Sequence, residues 1–439
     1  MPSFTKSRFA VVVPIESSMG PLVAIYQTMT KAMIVVSQKE WSSLLYDAAS
    51  QSDPATMDSL QQQGLVVREG IDETAVFEAW KQRYVHDFGT IKSKVIATRK
   101  CNNRCRYCIV DAEAKDMSHE TALAMDRFFI EVLREKNPKR VKDEFSGGEV
   151  MLNHQVVIES AARRLFFCLG KGIDYSFGII SNGTLIKPSI IAGMKEVGLK
   201  GIRVSVAGSE AVHDKLRPLQ NNGKSYDLIM RNLESISGMI PIGLECQYDS
   251  SSSDYLTIPD MMEDIRRRGI QIENIVFTPI LPRRGETPYK AGMGDPEIYL
   301  YLVKEAQRQG YPHFTDAPSN ACAADFRSSF VFDTDGSLIP CMVMQGGEKS
   351  YGDVFRGIDF VAQSQMLNRT YPEKCLRDCE LLPVCMGGCR LQALVKTNDF
   401  NGVDCHYETL SLVLKDYILQ KAARSLPAEQ EAEPVRKAA

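Results

Sequence analysis

The chain of 439 residues has little net charge and no long hydrophobic run. Its 52 Lys and Arg residues nearly balance 55 Asp and Glu residues, and the formal charge of −3 gives no indication of nucleic-acid binding. Near the amino terminus, the apolar run in MPSFTKSRFAVVVPIESS covers about five residues and ends at Pro14. This run is too short for a secretory signal or a membrane span. We therefore expect a cytoplasmic protein whose partners include neither nucleic acid nor a membrane.

Histidine is scarce as well, with six residues, whereas cysteine is not, with twelve. In a chain without an export signal, this many cysteines indicate metal binding rather than disulfides. Ten of them fall into two groups along the sequence. The other two, Cys168 and Cys246, lie in apolar segments and are predicted to be buried in the core. The length predicts about two to four domains.

The first group is the run CNNRCRYC, in which Cys101, Cys105 and Cys108 are spaced Cys-x3-Cys-x2-Cys. A structural zinc site or an electron-transfer iron-sulfur cluster requires four protein ligands, and the nearest histidines, His86 and His119, lie outside the run. Three cysteines would leave one iron of a 4Fe-4S cluster open to bind a substrate or cosubstrate. A zinc site with a distant fourth ligand is the alternative for so short a motif.

This run, including Tyr107 directly before the last cysteine, resembles the cluster-binding motif of the radical S-adenosylmethionine (SAM) enzymes. The resemblance implies a 4Fe-4S cluster on Cys101, Cys105 and Cys108, with the amino and carboxylate groups of SAM on the open iron. One electron would cleave SAM into methionine and a 5'-deoxyadenosyl radical, which abstracts hydrogen from the substrate. A reductant such as flavodoxin or ferredoxin would supply that electron.

Residues 1–88 are predicted to form a small α+β module. Its strands are predicted at 8–14, 22–27, 32–37 and 65–69, and its helices at 38–49, 54–64 and 73–84. The module loosely resembles the winged-helix peptide-recognition element of many peptide maturases. The resemblance implies that an extended leader peptide adds as a strand at an open sheet edge. Support of the following domain by packing is the alternative.

From Lys94 the pattern changes to short apolar runs that alternate with amphipathic helices, which predicts an α/β fold with a parallel sheet. The strands are predicted at 94–98, 141–145, 176–181, 202–207, 242–247 and 274–280. The helices are predicted at 118–135, 154–170, 187–197, 226–237, 258–268 and 296–309. Six such units match the partial (β/α)6, TIM-like barrel of the resembled family, which we assign to residues 89–310. In such barrels the chemistry lies at the carboxyl ends of the strands.

Two short motifs follow the second and third predicted strands of the barrel. Gly147, Gly148 and Glu149 resemble the family's GGE motif, which implies that exposed backbone and a carboxylate hold the methionyl ammonium of SAM. Asn182 lies in a Ser-Asn-Gly-Thr loop that matches the family's loop near the ribose. Taken alone, each motif is also typical of a tight turn. Their positions after successive strands favour the functional interpretation.

After the fourth strand, the segment SVAGSEAVHDKLR resembles the family's Ser-x-Asp-Gly followed by His-Asp-x-x-Arg. Ala207 replaces the acidic residue of that pattern. The resemblance therefore implies only Ser205 and Arg217 as contacts to the SAM carboxylate.

The second cysteine group contains seven thiols between residues 322 and 405. An odd number argues against paired disulfides, and no histidine completes a zinc site. The spacing resembles a SPASM domain, here residues 311–424, which carries two auxiliary 4Fe-4S clusters. By position, the resemblance implies a nearer cluster on three cysteines and a farther cluster on four: Cys322, Cys341 and Cys389, then Cys375, Cys379, Cys385 and Cys405. One departure is Cys375-x3-Cys379, where the family usually has two intervening residues.

The nearer set lacks a fourth cysteine. Sulfatase-maturing relatives have one six residues after the first, a position that Ser328 occupies here. One iron is then left for a substrate thiolate or an unrecognised oxygen ligand. A final helix is predicted at 406–423, followed by a charged, disordered tail at 425–439.

The leading prediction is an enzyme that modifies a ribosomally synthesised precursor peptide, by thioether formation or another cross-link. Sulfatase maturation, which generates formylglycine, is disfavoured because Met342 stands where those relatives carry the proposed base, an Asp. A non-enzymatic iron-sulfur sensor with a DNA-binding winged helix is also disfavoured, because the helix from Gln38 carries only one cation, Lys39.

Overall fold

A seven-stranded parallel sheet forms the main body of the computed structural model, which describes residues 3–18, 20–46, 53–110, 115–281, 295–311, 319, 321–344 and 349–426. Its strands are β6 (Thr90–Thr98), β7 (Arg140–Gly147), β8 (Asp174–Ser181), β9 (Leu199–Val206), β10 (Ile242–Tyr248), β11 (Asn274–Pro279) and β12 (Ser329–Phe332). The strand order is β11-β10-β9-β8-β7-β6-β12, and every neighbouring pair is parallel. The predicted α/β fold and all six predicted barrel strands are confirmed.

Amphipathic helices follow the strands and cover the sheet. They are α4 (His119–Lys136), α5 (His154–Lys171), α6 (Pro188–Glu196), α7 (Glu210–Leu216), α8 (Tyr226–Ile236), α9 (Ile258–Arg267) and α10 (Pro296–Arg308). In α4 the buried Ala122, Met125, Phe129 and Leu133 recur every three or four residues and turn one face to the core. The short α7 was not predicted, because seven residues hold too few turns to show a period.

The seventh strand, β12, comes from the region beyond the predicted barrel. It pairs with β6, so that Phe330 lies opposite Ser93 and Phe332 opposite Val95. The rings of Phe330 and Phe332 pack edge-on against Phe129 of α4. A four-residue run so far from the other strands gave no basis for predicting a seventh strand. The sheet therefore extends across the predicted boundary between residues 310 and 311.

The amino-terminal segment contains β1 (Phe4–Lys6), β2 (Ala10–Ile15), β3 (Leu22–Gln27), β4 (Met33–Ser37), α1 (Gln38–Tyr46), α2 (Pro54–Gln62), β5 (Val66–Arg68) and α3 (Glu73–Val85). Three of these strands form a separate antiparallel sheet with order β2-β3-β4. Asp53 caps α2 by accepting from the Ala55 N–H, as expected for an N-cap before proline. The strand β1, which pairs with β5, was not predicted.

Both faces of this small sheet are covered. One face packs on α1 and α2 through Trp41, Met57 and Leu60. The other face packs on the last helix, α15 (Tyr407–Ser425), through Leu414 and Ile418. The amino-terminal module is therefore fixed to the carboxyl-terminal region by a buried apolar interface.

The carboxyl-terminal region consists of short elements before α15. They are β13 (Gly352–Asp353), β14 (Gly357–Ile358), α11 (Phe360–Leu367), α12 (Glu373–Asp378), α13 (Leu382–Cys385) and α14 (Arg390–Thr397). The helix α15 lies where a final helix was predicted, and most of the predicted tail, from residue 427, lies outside the described residues. Among the described helices, none is both long and apolar enough to cross a membrane.

Candidate functional site

The cysteine loop, residues 101–108, follows β6 at the carboxyl end of the sheet. Three backbone hydrogen bonds hold it against the segment after α7: Arg104 N to Pro218 O at 2.8 Å, Arg106 N to Leu216 O at 2.9 Å and Gln220 N to Asn102 O at 2.8 Å. A cavity of about 510 Å³ opens here, lined by all three cysteines together with Arg99, Gly147 and Gly148. The structure thus places the predicted cluster ligands and the GGE motif around one cavity.

The three thiols of the loop lie near one another. Burial raises the pKa of Cys101 to about 11, and the nearby Glu149, Cys105 and Cys108 act in the same direction. A thiol with such a pKa binds a cation as thiolate only where the metal itself offsets the burial. The donor set, three thiols facing a cavity, fits a cluster with one open iron.

The two glycines of the GGE motif allow a close backbone contact between β7 and the start of the cysteine loop. Gly148 N donates to Thr98 O and Glu149 N donates to Lys100 O, both at 2.8 Å. A Cβ atom on Gly147 would lie 2.0 Å from Thr98 O, and one on Gly148 would lie 2.3 Å from Lys100 O. Any side chain at these positions would therefore push the motif away from the loop.

The carboxylate of Glu149 is buried and joins the ends of β7 and β8. One oxygen accepts from Ser181 Oγ at 2.8 Å and from Met151 N at 3.0 Å, and the other accepts from Asn182 N at 2.6 Å. Burial raises its pKa, although these hydrogen bonds oppose the shift. Glu149 therefore has a structural role in addition to the predicted contact with an ammonium group.

The amide of Asn182 contacts the cysteine loop directly. Its Nδ2 donates to Asn102 Oδ1 at 2.8 Å and to Asn103 Oδ1 at 3.0 Å. The sequence reasoning missed Asn102 and Asn103, although both lie inside the quoted motif. Their partner, 80 residues away, could not be identified from one sequence.

Arg217 is buried beside the loop and contacts Tyr107. Its Nη1 donates to Tyr107 Oη at 2.6 Å and to Gln247 Oε1 at 2.9 Å, while its Nε has no partner among the described residues. Ser205 lies buried on the adjacent strand β9, but no hydrogen bond joins it to Arg217 in the described part of the chain. Tyr107 and Arg217 are thus brought together, whereas the contacts of Ser205 and Arg217 with the SAM carboxylate stay a prediction.

Arg99 is a further residue that the sequence reasoning did not identify. It lines the cavity, and its Nε donates to Asp333 Oδ1 at 2.9 Å in a buried ion pair. Asp333 directly follows β12, so the pair joins the ends of β6 and β12 beside the cysteine loop.

The seven carboxyl-terminal cysteines form two groups in space. In the first, burial raises the pKa of Cys341 to about 12, and the neighbouring Cys322 and Cys389 act in the same direction. Burial raises the pKa of Cys389 as well, and Cys322 acts in the same direction. These are the three thiols assigned to the nearer cluster.

The second group contains the four thiols assigned to the farther cluster. Burial raises the pKa of Cys385 to about 12, and Cys379 and Cys405 raise it further. Burial also raises the pKa of Cys379 to about 11, with contributions from Glu380 and then from Cys375 and Cys405. The bulged spacing of Cys375 and Cys379 therefore leaves both residues near Cys405, and Cys379 also near Cys385.

The twelve cysteines, all of which lie in the described ranges, are not paired in disulfides. Within the described ranges, no three His, Cys, Asp or Glu side chains meet closely enough to hold a single metal ion. Each thiolate of a 4Fe-4S cluster binds a different iron, so thiols that serve one cluster need not meet at one ion. The donors of the two groups are thiols, the ligands that iron-sulfur clusters bind, whereas the number of auxiliary clusters stays a prediction.

Comparison with known proteins identifies the domain. Residues 95–246 match the family model of the Radical SAM superfamily. The chain is 23% identical over 346 residues to the Fe-coproporphyrin III synthase of Methanosarcina barkeri, covering 67% of this chain and 82% of that protein. It is 22% identical over 332 residues to the cysteine-type anaerobic sulfatase-maturating enzyme of Clostridium novyi, covering 67% of this chain and 86% of that enzyme. The chain thus carries a radical SAM domain, and the predicted class, a radical SAM enzyme, is confirmed.

Two solved structures resemble the fold over most of this chain. One is native anSMEcpe with bound AdoMet and Cp18Cys peptide, with a TM-score of 0.57, 16% identity, and coverage of 76% of this chain and 98% of that chain. The other is Streptococcus suis SuiB bound to precursor peptide SuiA, with a TM-score of 0.55, 15% identity, and coverage of 92% of this chain and 99% of that chain. At these identities the likeness concerns the fold, which agrees with the predicted barrel and its cysteine-rich carboxyl-terminal region.

Proposed function

We propose that this radical SAM enzyme matures a ribosomally synthesised peptide by joining a cysteine sulfur to a carbon atom. The observation that carries the proposal is the separation of the carboxyl-terminal thiols into a group of three and a group of four. Four thiols complete one 4Fe-4S cluster, whereas three leave an iron for an external ligand. A cysteine thiolate of the peptide is suited to that position, because a metal stabilises the deprotonated sulfur.

Within the barrel we propose that Cys101, Cys105 and Cys108 hold the SAM-binding cluster. The GGE backbone and Glu149 would receive the methionyl ammonium of SAM, Asn182 would lie near its ribose, and Ser205 and Arg217 would contact its carboxylate. SAM bound to the reduced cluster supplies the radical that abstracts hydrogen from the peptide. These residues would orient SAM by charge. The Glu149 carboxylate would lie beside the methionyl ammonium, and the Arg217 guanidinium would lie beside the SAM carboxylate.

We further propose that the farther set, Cys375, Cys379, Cys385 and Cys405, serves electron transfer with a flavodoxin or ferredoxin in the cytoplasm. Closing a carbon-sulfur bond removes one hydrogen from carbon and one from sulfur. The hydrogen on carbon would leave as a hydrogen atom and that on sulfur as a proton, so one electron would have to leave as well. A protein with two auxiliary clusters offers an acceptor for that electron.

The leader of the peptide would bind to the amino-terminal module. The strand β4 pairs only with β3 among the described residues, so its other edge is open to strand addition. Gln27 N donates to Ala32 O, and Gln38 N donates to Pro21 O. In an antiparallel pair of strands, hydrogen-bonded residue pairs alternate with non-hydrogen-bonded pairs, so the pair Ala24–Val35 is a non-hydrogen-bonded one. The N–H of Val35 therefore points away from β3, toward the open edge.

Sulfatase maturation is the second candidate, favoured by the resemblance to the sulfatase-maturating enzyme. Met342 stands at the position assigned to the base in that class and packs with Ile96, Val331 and Ile339. A thioether cannot remove a proton, and an apolar neighbourhood offers no substitute acceptor. We therefore retain the peptide cross-link as the main proposal.

The test combines the iron-loaded protein, SAM, dithionite and short cysteine-containing peptides encoded next to its gene. We expect deoxyadenosine together with a peptide that is lighter by two hydrogen atoms and whose former cysteine no longer reacts with a thiol reagent. Formylglycine in a sulfatase-derived peptide would support the second candidate instead. An absence of deoxyadenosine with every peptide would reject both.

A further inference from the structure

A second cavity, of about 460 Å³, lies between the amino-terminal module and the carboxyl-terminal region, away from the cysteine loop. The helix α3 provides one wall, and the segments around residues 325–327 and 367–371 provide the others. Hydrogen bonds join the amino-terminal module to the carboxyl-terminal region around this cavity: Arg327 N donates to Val85 O at 3.0 Å, and Thr74 Oγ1 donates to Leu376 O at 3.0 Å. Its volume lies in the range of ligand-binding pockets, roughly 300–1,000 Å³.

The deep wall of this cavity carries more positive than negative charge. Asp325 is the carboxylate partner of two buried guanidiniums: it accepts from Arg390 Nε at 2.9 Å and from Arg369 Nη1 at 3.3 Å. Arg369 otherwise donates to carbonyls, including Met386 O at 2.9 Å and Gly388 O at 3.0 Å. One carboxylate thus serves two cations, which leaves an unbalanced positive charge behind the cavity surface.

Two further cations, Lys81 and Arg327, line the cavity together with one further carboxylate, Glu78. The ammonium of Lys81 lies 3.8 Å from Glu78 and 4.5 Å from the centre of the Tyr371 ring. Burial lowers the pKa of Lys81. Glu78 and Asp325 raise this pKa, whereas Arg390 and Arg369 lower it further. Arg327 forms no ion pair within the described ranges, and burial lowers its pKa. The cavity therefore favours an anion.

The remaining walls indicate which kind of anion. Val85, Leu367 and Leu376 contribute apolar surface beside the cations. A carboxylate on a short methylene stem, as in a Glu or Asp side chain, matches both surfaces, whereas an inorganic phosphate has no apolar part. The cavity also adjoins α3 of the module that we propose to bind the leader.

We propose that this cavity binds an acidic side chain of a peptide, held by Lys81 and Arg327; the proposal rests on the peptide-modifying function above. Arg327 offers paired donors to a carboxylate, and Lys81 adds a second positive charge. The site would help to select precursor peptides that carry a suitably placed Glu or Asp.

The test measures binding of fluorescein-labelled peptides to the full-length, iron-loaded protein without SAM or reductant. One probe alternates Gly and Glu, and the other alternates Gly and Gln. We expect the Glu peptide to bind more tightly. Substitutions K81Q and R327Q should each weaken the Glu peptide by about tenfold or more, because each removes a charge-assisted contact. The matched control is R377Q, which removes an exposed arginine paired with Glu373 outside the cavity and should change binding by less than about twofold.

Three outcomes would overturn the site: equal binding of the two peptides, equal loss in R327Q and R377Q, or displacement of the Glu peptide by inorganic phosphate at an ionic strength where acetate has no effect. Thermal unfolding of each variant verifies that the fold is intact, and K81Q replaces R327Q if the latter is unstable. A protein that binds the Glu peptide but modifies no precursor would reject the proposed function alone, and a protein that modifies a precursor without distinguishing Glu from Gln would reject the site alone.

Discussion

Arg217 Nη1 donates to Tyr107 Oη at 2.6 Å, so the aromatic residue of the cysteine loop fixes a buried guanidinium beside the cavity. The substitution Tyr107→Phe removes this hydroxyl, so that among the described residues Arg217 Nη1 keeps only its hydrogen bond to Gln247 Oε1. A hydrogen bond to a charged group contributes about 1.5–3 kcal/mol, so we expect the affinity for SAM to fall about ten- to hundredfold. The measurement is the apparent KM for SAM in deoxyadenosine release, with the iron content unchanged.

Tyr311→Phe is the matched control for this change. It removes a buried hydroxyl that donates to Met262 O, far from the cysteine loop. A normal KM for SAM in Tyr107→Phe, or an equal rise in the control, would show that the hydroxyl does not position Arg217 for SAM.

The close approach of the GGE motif provides a second prediction. Gly148→Ala would place a Cβ atom 2.3 Å from Lys100 O, so the motif or the cysteine loop must move. Because a displacement of about 1 Å at a reacting centre can cost about a hundredfold, we expect a loss of that order in deoxyadenosine release. Gly170→Ala in α5 is the control, since no atom lies within 4 Å of its added Cβ. Equal activity in the two variants would contradict the steric argument.

The sequence was sufficient where local pattern decides structure. Alternating strands and helices predicted the parallel sheet, and the resemblance of the cysteine spacing to known families implied the cluster loop at Cys101 and the two later groups. It was insufficient where partners are distant in the chain: Asp333 pairs with Arg99 across 234 residues, and the short β12 joins β6 across the predicted domain boundary. Such contacts depend on topology, which a periodic pattern does not encode. The positively charged cavity was missed for the same reason, because Lys81 and Arg327 come to line one cavity only after folding.

Iron content tests the number of clusters. Three 4Fe-4S clusters predict about twelve irons per chain after anaerobic reconstitution. Changing Cys101, Cys105 and Cys108 together to Ala should remove about four irons and abolish SAM cleavage. Cys168→Ala is the control, since this buried thiol lies outside both groups and should leave the iron content unchanged. Persistent deoxyadenosine release in the triple variant, or zinc without iron, would reject the site.

The open edge of β4 can be tested without removing the module. Deleting residues 1–88 would expose Leu414 and Ile418 of α15, so a loss of activity would be ambiguous. Val35→Pro removes an outward-pointing N–H and leaves the ladder to β3 intact, and edge strands tolerate such a proline. We expect precursor binding to weaken by about tenfold, from one lost hydrogen bond and a steric block to its neighbours.

Val35→Ala is the control for this edge, because it shortens the side chain but keeps the N–H. It should bind the precursor within about threefold of the unmodified protein. If the proline and alanine variants bind the precursor equally well, the leader does not add to this edge, and the module supports the fold by packing alone.

The group of three thiols leads to the most specific prediction. If Cys322, Cys341 and Cys389 are the only protein ligands of the nearer cluster, a cysteine of the peptide can bind its remaining iron as thiolate. Such binding would hold the sulfur beside the carbon that loses hydrogen, and positioning of reacting atoms can lower a barrier by roughly 7–11 kcal/mol. Adding the precursor should therefore change the paramagnetic resonance spectrum of one auxiliary cluster, whereas a precursor with Ser in place of that cysteine should not. A spectrum that stays unchanged with the native precursor, or a fourth protein ligand on that iron, would reject direct ligation and leave the cluster a role in electron transfer.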